Sequence, residues 1–453
     1  MQCDERGLAL STDSADAAAL FDRSVEHYLK FFADTPSLVG QMLAADPHFA
    51  LGHCFKGYLL LSASNPSFRS EIAATLAAAQ TGADKASERE RRHVAAFAAW
   101  AGGGLDRSFG IWRELLDEYP TDLLAARICD TSWFRYGQTA KILEQADRLA
   151  PHWSAELPGY QLFRTIWAFA HEEAGDTQGA ERAIDEAIDA DRTNYFAHHV
   201  KAHVLEMECR PREGSEWLAS QAVHWSLANQ LAHHLWWHRA LMQIELGELD
   251  AVLASYDENI RNLDAPMVKA TPDHFIDLQN APAVLWRLEQ MGVDVGRRWE
   301  ELADKAEARI GDCSSVFTLP HWLMALTATG RIAAAERMVE ATRAYAAQGT
   351  GTLPPIVRDY VLPIAEAQLA LAAGRPADAV ARMRPALGGM YRLGGSHAQQ
   401  DVLEQLFVDA ALKADSMADV RLVLERVAGR RAIPLERYVG WRGAVQHAAG
   451  AMS

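Results

Sequence analysis

The chain has 453 residues, 49% of them hydrophobic and 23% charged, with 13 tryptophans and a formal net charge of −16. That apolar fraction supplies a packed core and excludes wholesale disorder, while the length asks for two to four ordinary domains or one long repeat array. Forty-four Lys and Arg against 60 Asp and Glu argue against a nucleic-acid backbone or an anionic membrane surface as the main partner.

The first stretch, MQCDERGLALSTDSADAAAL, carries acidic residues and lacks the apolar run of a signal peptide or membrane span, so a cytoplasmic protein is expected. Cys3, Cys54, Cys129, Cys209 and Cys313 are scattered, odd in number and without CxxC spacing. They read as thiols of a reducing compartment rather than a disulfide framework. The run SERERRHVAA (87–96) alternates signs at the start of a helix and reads as a solvated, salt-bridged face.

Helical periodicity dominates the rest, as in GYQLFRTIWAFAHEEAG (159–175) and AERAIDEAIDADR (180–192), and β-branched alternating runs are missing. Small-residue turns followed by an Ala-marked helix recur at Gly175, Gly247, Gly330 and Gly374, with weaker ones at Gly137, Cys209 and Gly292. In chain order the seven are 38, 34, 38, 45, 38 and 44 residues apart, bracketing the 34-residue tetratricopeptide period and drifting toward longer helix pairs. Glycine suits these turns because a helix C′ residue commonly takes a left-handed backbone. The reading is all-α: a tetratricopeptide-like right-handed α-solenoid of about ten helix pairs, able to curve strongly or close into a ring. It forms a single continuous domain over residues 1–453, softest at the loops 262–272 and 347–355.

Seven of the 17 histidines fall between positions 198 and 238. AHHVKAHVLEM (197–207) and AHHLWWHRALM (232–242) superpose without a gap, so His198, His199 and His203 match His233, His234 and His238 at an offset of 35 residues, one repeat. Within each helix, His199 and His203, or His234 and His238, are i and i+4 and share a face, and Glu206 lies on the stripe of His203. Three readings fit. The imidazoles pack as structural groups against Trp217, Trp225, Trp236 and Trp237; they line a polar ligand pocket; or His199, His203, His234 and His238 hold a metal ion, zinc by ligand type.

Further along, His321 in FTLPHWLMAL stands nine residues before Gly330, as His238 stands nine before Gly247. Asp273 and Asp277, i and i+4 at a helix start, read as N-terminal capping carboxylates. In GGSHAQQD, with His397 and Asp401, Gly394-Gly395-Ser396 opens a helix and could hold an anion, although capping is favoured because the lysine of a phosphate loop is missing. The sequence contains no GxSxG, no GxGxxG after a strand and no kinase set.

The blocks ERERRHVAAFAAW (88–100), YPTDLLAAR (119–127), AHHVKAHVLEM, EGSEWLA (213–219), HHLWWHRALMQIELGE (233–248), SYDENI (255–260), APAVLWRLEQMGVDVGRRW (281–299) and GGSHAQQDV (394–402) occur in order along the chain. In these the chain resembles the tetratricopeptide repeat protein 38 family. The resemblance implies a helical repeat fold, brings no catalytic assignment, and carries Gly where Cys209 stands. His199, His203, His238, His321 and His397 fit both that pattern and the helical-wheel argument.

Two functions are expected from these residues. The first is binding of a peptide or small-molecule ligand in a His/Trp-rich concave groove, with His199, His234, Trp237, His321 and His397 as contacts. The alternative is a hydrolase-type enzyme, metal-dependent if the histidines hold zinc, with His203 or His238 as general base and Glu206 orienting an imidazole. Neither involves nucleic acid or membrane, and a homo-oligomer is compatible with both.

Overall fold

The computed structural model describes residues 2–429. The last part of the expected array, 430–453, lies outside the described residues. The chain is an all-α helical-repeat protein whose helices pack on their successors. Among the described residues the only paired strands are Gln2–Cys3 and Ala9–Leu10, closed by Asp4, whose carboxylate accepts from the backbone N–H of Arg6 and Leu8. The stretches read as loops hold short helices, Pro266–Ala270 and Leu353–Ile356.

The described residues fall into two compact units. The first comprises Met1–Phe134, Gln138–Lys201 and Val223–Leu231, and the second Arg135–Gly137, Ala202–Ala222 and everything from Ala232 on. In the first, Ala15–Leu29 packs on Thr35–Ala45, Ala50–Ser62 on Arg69–Gly82, Glu88–Ala101 on Leu105–Glu118, and Tyr160–Glu173 on Thr177–Ala190. In the second, Asp277–Gln290 packs on Arg298–Ala308 and on Thr318–Ala328, Leu362–Ala372 on Pro376–Met383, and His397–Lys413 on Met417–Ala428.

The turns set this periodicity. All seven positions from Gly137 to Gly374 have positive φ, Cys209 included at 55°. At each, the following backbone N–H donates to the carbonyl five residues back: Asp176 to His171, Arg210 to Leu205, Glu248 to Gln243 and Arg331 to Leu326, all at 2.9 Å. This Schellman closure satisfies carbonyls that a helix end leaves without partners. Phe31, Gly103 and Asp415 close in the same way without having been foreseen. A left-handed backbone strains any residue with a Cβ. Cys209→Gly is therefore expected to raise the denaturant midpoint, by about 0.5–1 kcal/mol of stability. An unchanged or lowered midpoint would show that the thiol contributes more than the strain costs.

The two helices of a pair are buried differently. Thr177–Ala190 buries one stripe, Gly179, Ala180, Ala183, Ile184 and Ala187, and Arg298–Ala308 likewise only Trp299, Leu302, Ala303 and Ala306. By contrast Asp277–Gln290 is buried at every residue from Asp277 to Leu288, Thr318–Ala328 from Thr318 to Leu326, and His397–Lys413 from Ala398 to Val408. Polar side chains on these all-round buried helices must find partners inside the protein. The candidate site is built from such side chains.

The run 87–96 corrects the sequence reading. Glu88, Arg91 and Arg92 do pair at the surface, but Arg89, Glu90 and His93 are buried. Arg89 donates to Asp122 Oδ2 at 2.6 Å, and His93 Nε2 meets the same oxygen at 3.1 Å. They continue the stripe of Ala96 and Phe97 into the core, which sign alternation alone does not reveal.

Candidate functional site

The site lies in the second unit, on the end of the Tyr195–Met207 helix, on Leu231–Leu246 and on the first turns of Asp277–Gln290. His203, Glu206, His234, Trp237 and His238 are all buried, with His238 at 0% exposure. The 35-residue offset brings His203 against His238, with ring centroids 4.8 Å apart. His238 also faces His234 one turn earlier on its own helix, with centroids 4.6 Å apart, and Trp237 stacks on His234 at 5.0 Å and 11°.

A hydrogen-bonded chain links these groups. Glu206 Oε2 lies 3.2 Å from His238 Nδ1, His238 Nε2 lies 3.2 Å from His234 Nε2, and His234 Nδ1 lies 3.0 Å from Asn280 Oδ1. Glu206 thus lies against the His238 imidazole of the neighbouring helix. His238 Nδ1 faces a carboxylate and so carries a hydrogen, which turns its Nε2 lone pair toward His234 Nε2. Burial, first, and then the neighbouring His238 and His203 drive the His234 pKa well below its usual value. This ring therefore stays neutral at ordinary pH.

A second buried pair lies alongside. His233 Nδ1 meets Asp277 Oδ1 at 3.1 Å, Arg261 stands 4.0 Å from the other oxygen of Asp277, and Arg261 is itself held by Glu301 at 2.7 Å. Asp277 is completely buried, so its role is to hold His233 rather than to cap a solvent-facing helix end. Asp273 serves Arg309, at 2.6 Å.

The other expected contacts have partners of their own. His199 belongs to the first unit and stacks between Phe169 and Phe196, with centroids 6.3 and 6.1 Å away. His321 spends Nδ1 on the carbonyl of Phe317, one turn back on its own helix, at 2.8 Å. His397 is the half-buried first residue of its helix. Before it, Ser396 accepts from the Gln399 N–H while the Gln399 side chain accepts from Ser396, a full capping box in line with the favoured reading. Asp401 pairs with buried Arg287 at 3.4 Å and accepts from Gln405 at 2.6 Å.

Asp277 and Asn280 were not foreseen as partners of the histidines. The signal was in the turns: Gly247 and Gly292 are 45 apart, and the contacts His233–Asp277 and His234–Asn280 span 44 and 46 residues. All five cysteines are thiols, with Cys54, Cys129 and Cys313 buried. Among the described residues no helix is long and apolar enough to cross a membrane.

No family model matches the chain. A solved structure of Naa15/Naa10 bound to HypK-THB is similar over 92% of this chain and 64% of that chain, at 13% identity and a TM-score of 0.26. The chain thus spans slightly less than two thirds of that neighbour's length.

Proposed function

We propose that the chain binds a small-molecule ligand at the His/Trp cluster of its second unit, on a helical-repeat scaffold of the tetratricopeptide repeat protein 38 family and in the cytoplasm. The burial of His203, Glu206, His234, Trp237 and His238 carries this reading. An extended peptide docks along exposed side chains, whereas these can enclose only something small. The Trp237 indole N–H and the Asn280 amide nitrogen support it further, being buried donors with no acceptor among the described residues, each of which costs about 1–3 kcal/mol until it meets one. The test is a thermal-shift and native mass-spectrometry survey of small polar compounds against the wild-type chain and Trp237→Phe, which keeps an aromatic ring, though a smaller one, and removes the donor. A compound should stabilise the wild type and lose at least part of its effect on the variant. Peptides that bind where no small compound does would overturn the proposal.

The Glu206–His238 hydrogen bond favours a second reading, hydrolysis, because a carboxylate that orients an imidazole is the arrangement of a general base. On that reading His238→Gln abolishes turnover found in a substrate screen while the fold survives, and turnover that persists in the variant rejects it.

A further inference from the structure

We infer that His203, His234 and His238 bind one divalent transition-metal ion, with Glu206 and Asn280 fixing two of the three imidazoles; this deepens the proposed ligand site, with the ion as its centre. The three rings each offer a nitrogen within 4.8 Å of the others. The His234 and His238 Nε2 atoms are already 3.2 Å apart. In a tetrahedral zinc site with Zn–N bonds of about 2.0–2.1 Å, two nitrogens stand roughly 3.3–3.4 Å apart, so this pair has the spacing of one tetrahedron edge.

The far sides of the rings fit the same role. A ligating histidine typically donates its other N–H to a carboxylate or carbonyl oxygen, which fixes the tautomer and aims the ring. Here His238 Nδ1 faces the Glu206 carboxylate at 3.2 Å and His234 Nδ1 faces the Asn280 carbonyl oxygen at 3.0 Å. A packing histidine needs one such bond, whereas two adjacent histidines with both outer nitrogens tied and both inner ones convergent have the pattern of ligands. Glu206 is buried beside them and offsets part of the ion's charge without ligating it. Three neutral nitrogen ligands leave a fourth position for water or an exchangeable ligand, the usual arrangement of zinc sites that bind or transform small molecules. Imidazole-only ligation favours zinc, cobalt, nickel or copper over magnesium or calcium, which take oxygen.

The test uses the full chain, stripped with a chelator and titrated with Zn(II), and with Co(II) as a spectroscopic probe. The wild type should take up one ion per chain and give the visible d–d bands of a nitrogen-ligated cobalt centre. His234→Ala and His238→Ala should abolish both, checked by far-UV circular dichroism for retained helix. Glu206→Gln, which leaves every ligand in place, should keep the stoichiometry and weaken affinity about 10–100-fold. His321→Gln, a buried histidine bonded to its own helix, should bind as the wild type does. Failure of the wild type to bind one ion, or unchanged binding by His234→Ala and His238→Ala, overturns the inference. If the wild type takes up no ion yet a small compound still binds through Trp237, the ion falls and the ligand site stands. If metal binds and no compound does, the ion stands and the small-molecule reading falls.

Discussion

Replacing Asp122 with alanine should destabilise the first unit by about 3–5 kcal/mol, because it leaves the buried Arg89 without its counter-charge. The Asp122 carboxylate is 2% exposed and accepts from Arg89 at 2.6 Å, from His93 at 3.1 Å and from the Ala125 backbone N–H at 2.9 Å. Burial by itself would raise its pKa, yet the Arg89 guanidinium and His93 hold it far below the usual carboxylate range. The network continues inward, since the Tyr58 hydroxyl lies 3.0 Å from His93 Nδ1 and accepts from the Trp112 indole at 3.2 Å. Three helices, Ala50–Ser62, Glu88–Ala101 and Leu105–Glu118, and the residue that opens Leu123–Arg135 thus meet at one set of polar atoms. Asp122→Asn separates charge from capping, since its side-chain oxygen can still receive the Ala125 N–H. The double variant Arg89→Met/Asp122→Asn should cost less than the sum of its single changes, because neither charge is then left buried alone. Denaturant unfolding of the four proteins closes the cycle. A cost below about 1 kcal/mol for Asp122→Ala, or strictly additive single changes, would show that the pair is incidental to the fold.

The same network shows what the sequence reveals and what it conceals. The repeat was legible because each turn needs a left-handed residue, and glycine marks most of those places. Phe31 and Asp415 make the same turn without glycine and so left no trace in composition. Arg89 and His93 were taken for surface groups because sign alternation is a property of neighbours in sequence. Burial follows the three-and-four spacing that joins them to Ala96 and Phe97. The histidine site was half legible for a related reason. An equal offset along two helices placed His203 over His238 and Glu206 within reach of it. The next repeat is longer, so Asp277 and Asn280 could be matched to His233 and His234 only by following the turn spacing rather than the motif. His321 shared the motif position yet turned to the backbone carbonyl of Phe317.

Burial, against the pull of that bond, makes His321 a source of acid sensitivity. Its ring is 1% exposed, and burial pulls its pKa from 6.5 down to about 4, with the Phe317 carbonyl opposing the shift and Arg287 adding to it. Between these two values the unfolded chain binds a proton that the folded chain refuses, so stability rises with pH across the window and is lost as pH falls from 6.5 toward 4. At about 1.4 kcal/mol per unit, the single group removes about 3 kcal/mol by pH 4. Asp130 works the other way, since burial pushes its carboxyl up to about 7 and the folded state holds the extra proton between 3.8 and that value. The wild-type curve therefore mixes opposing slopes, and the difference from His321→Gln isolates one of them. Glutamine keeps a donor near the Phe317 carbonyl and cannot be charged. The stability difference between wild type and variant should be flat above pH 7 and move by about 3 kcal/mol in the variant's favour by pH 4. Parallel curves would mean that His321 protonates in the folded protein as readily as in the unfolded chain, and hence that the second unit opens around it in acid.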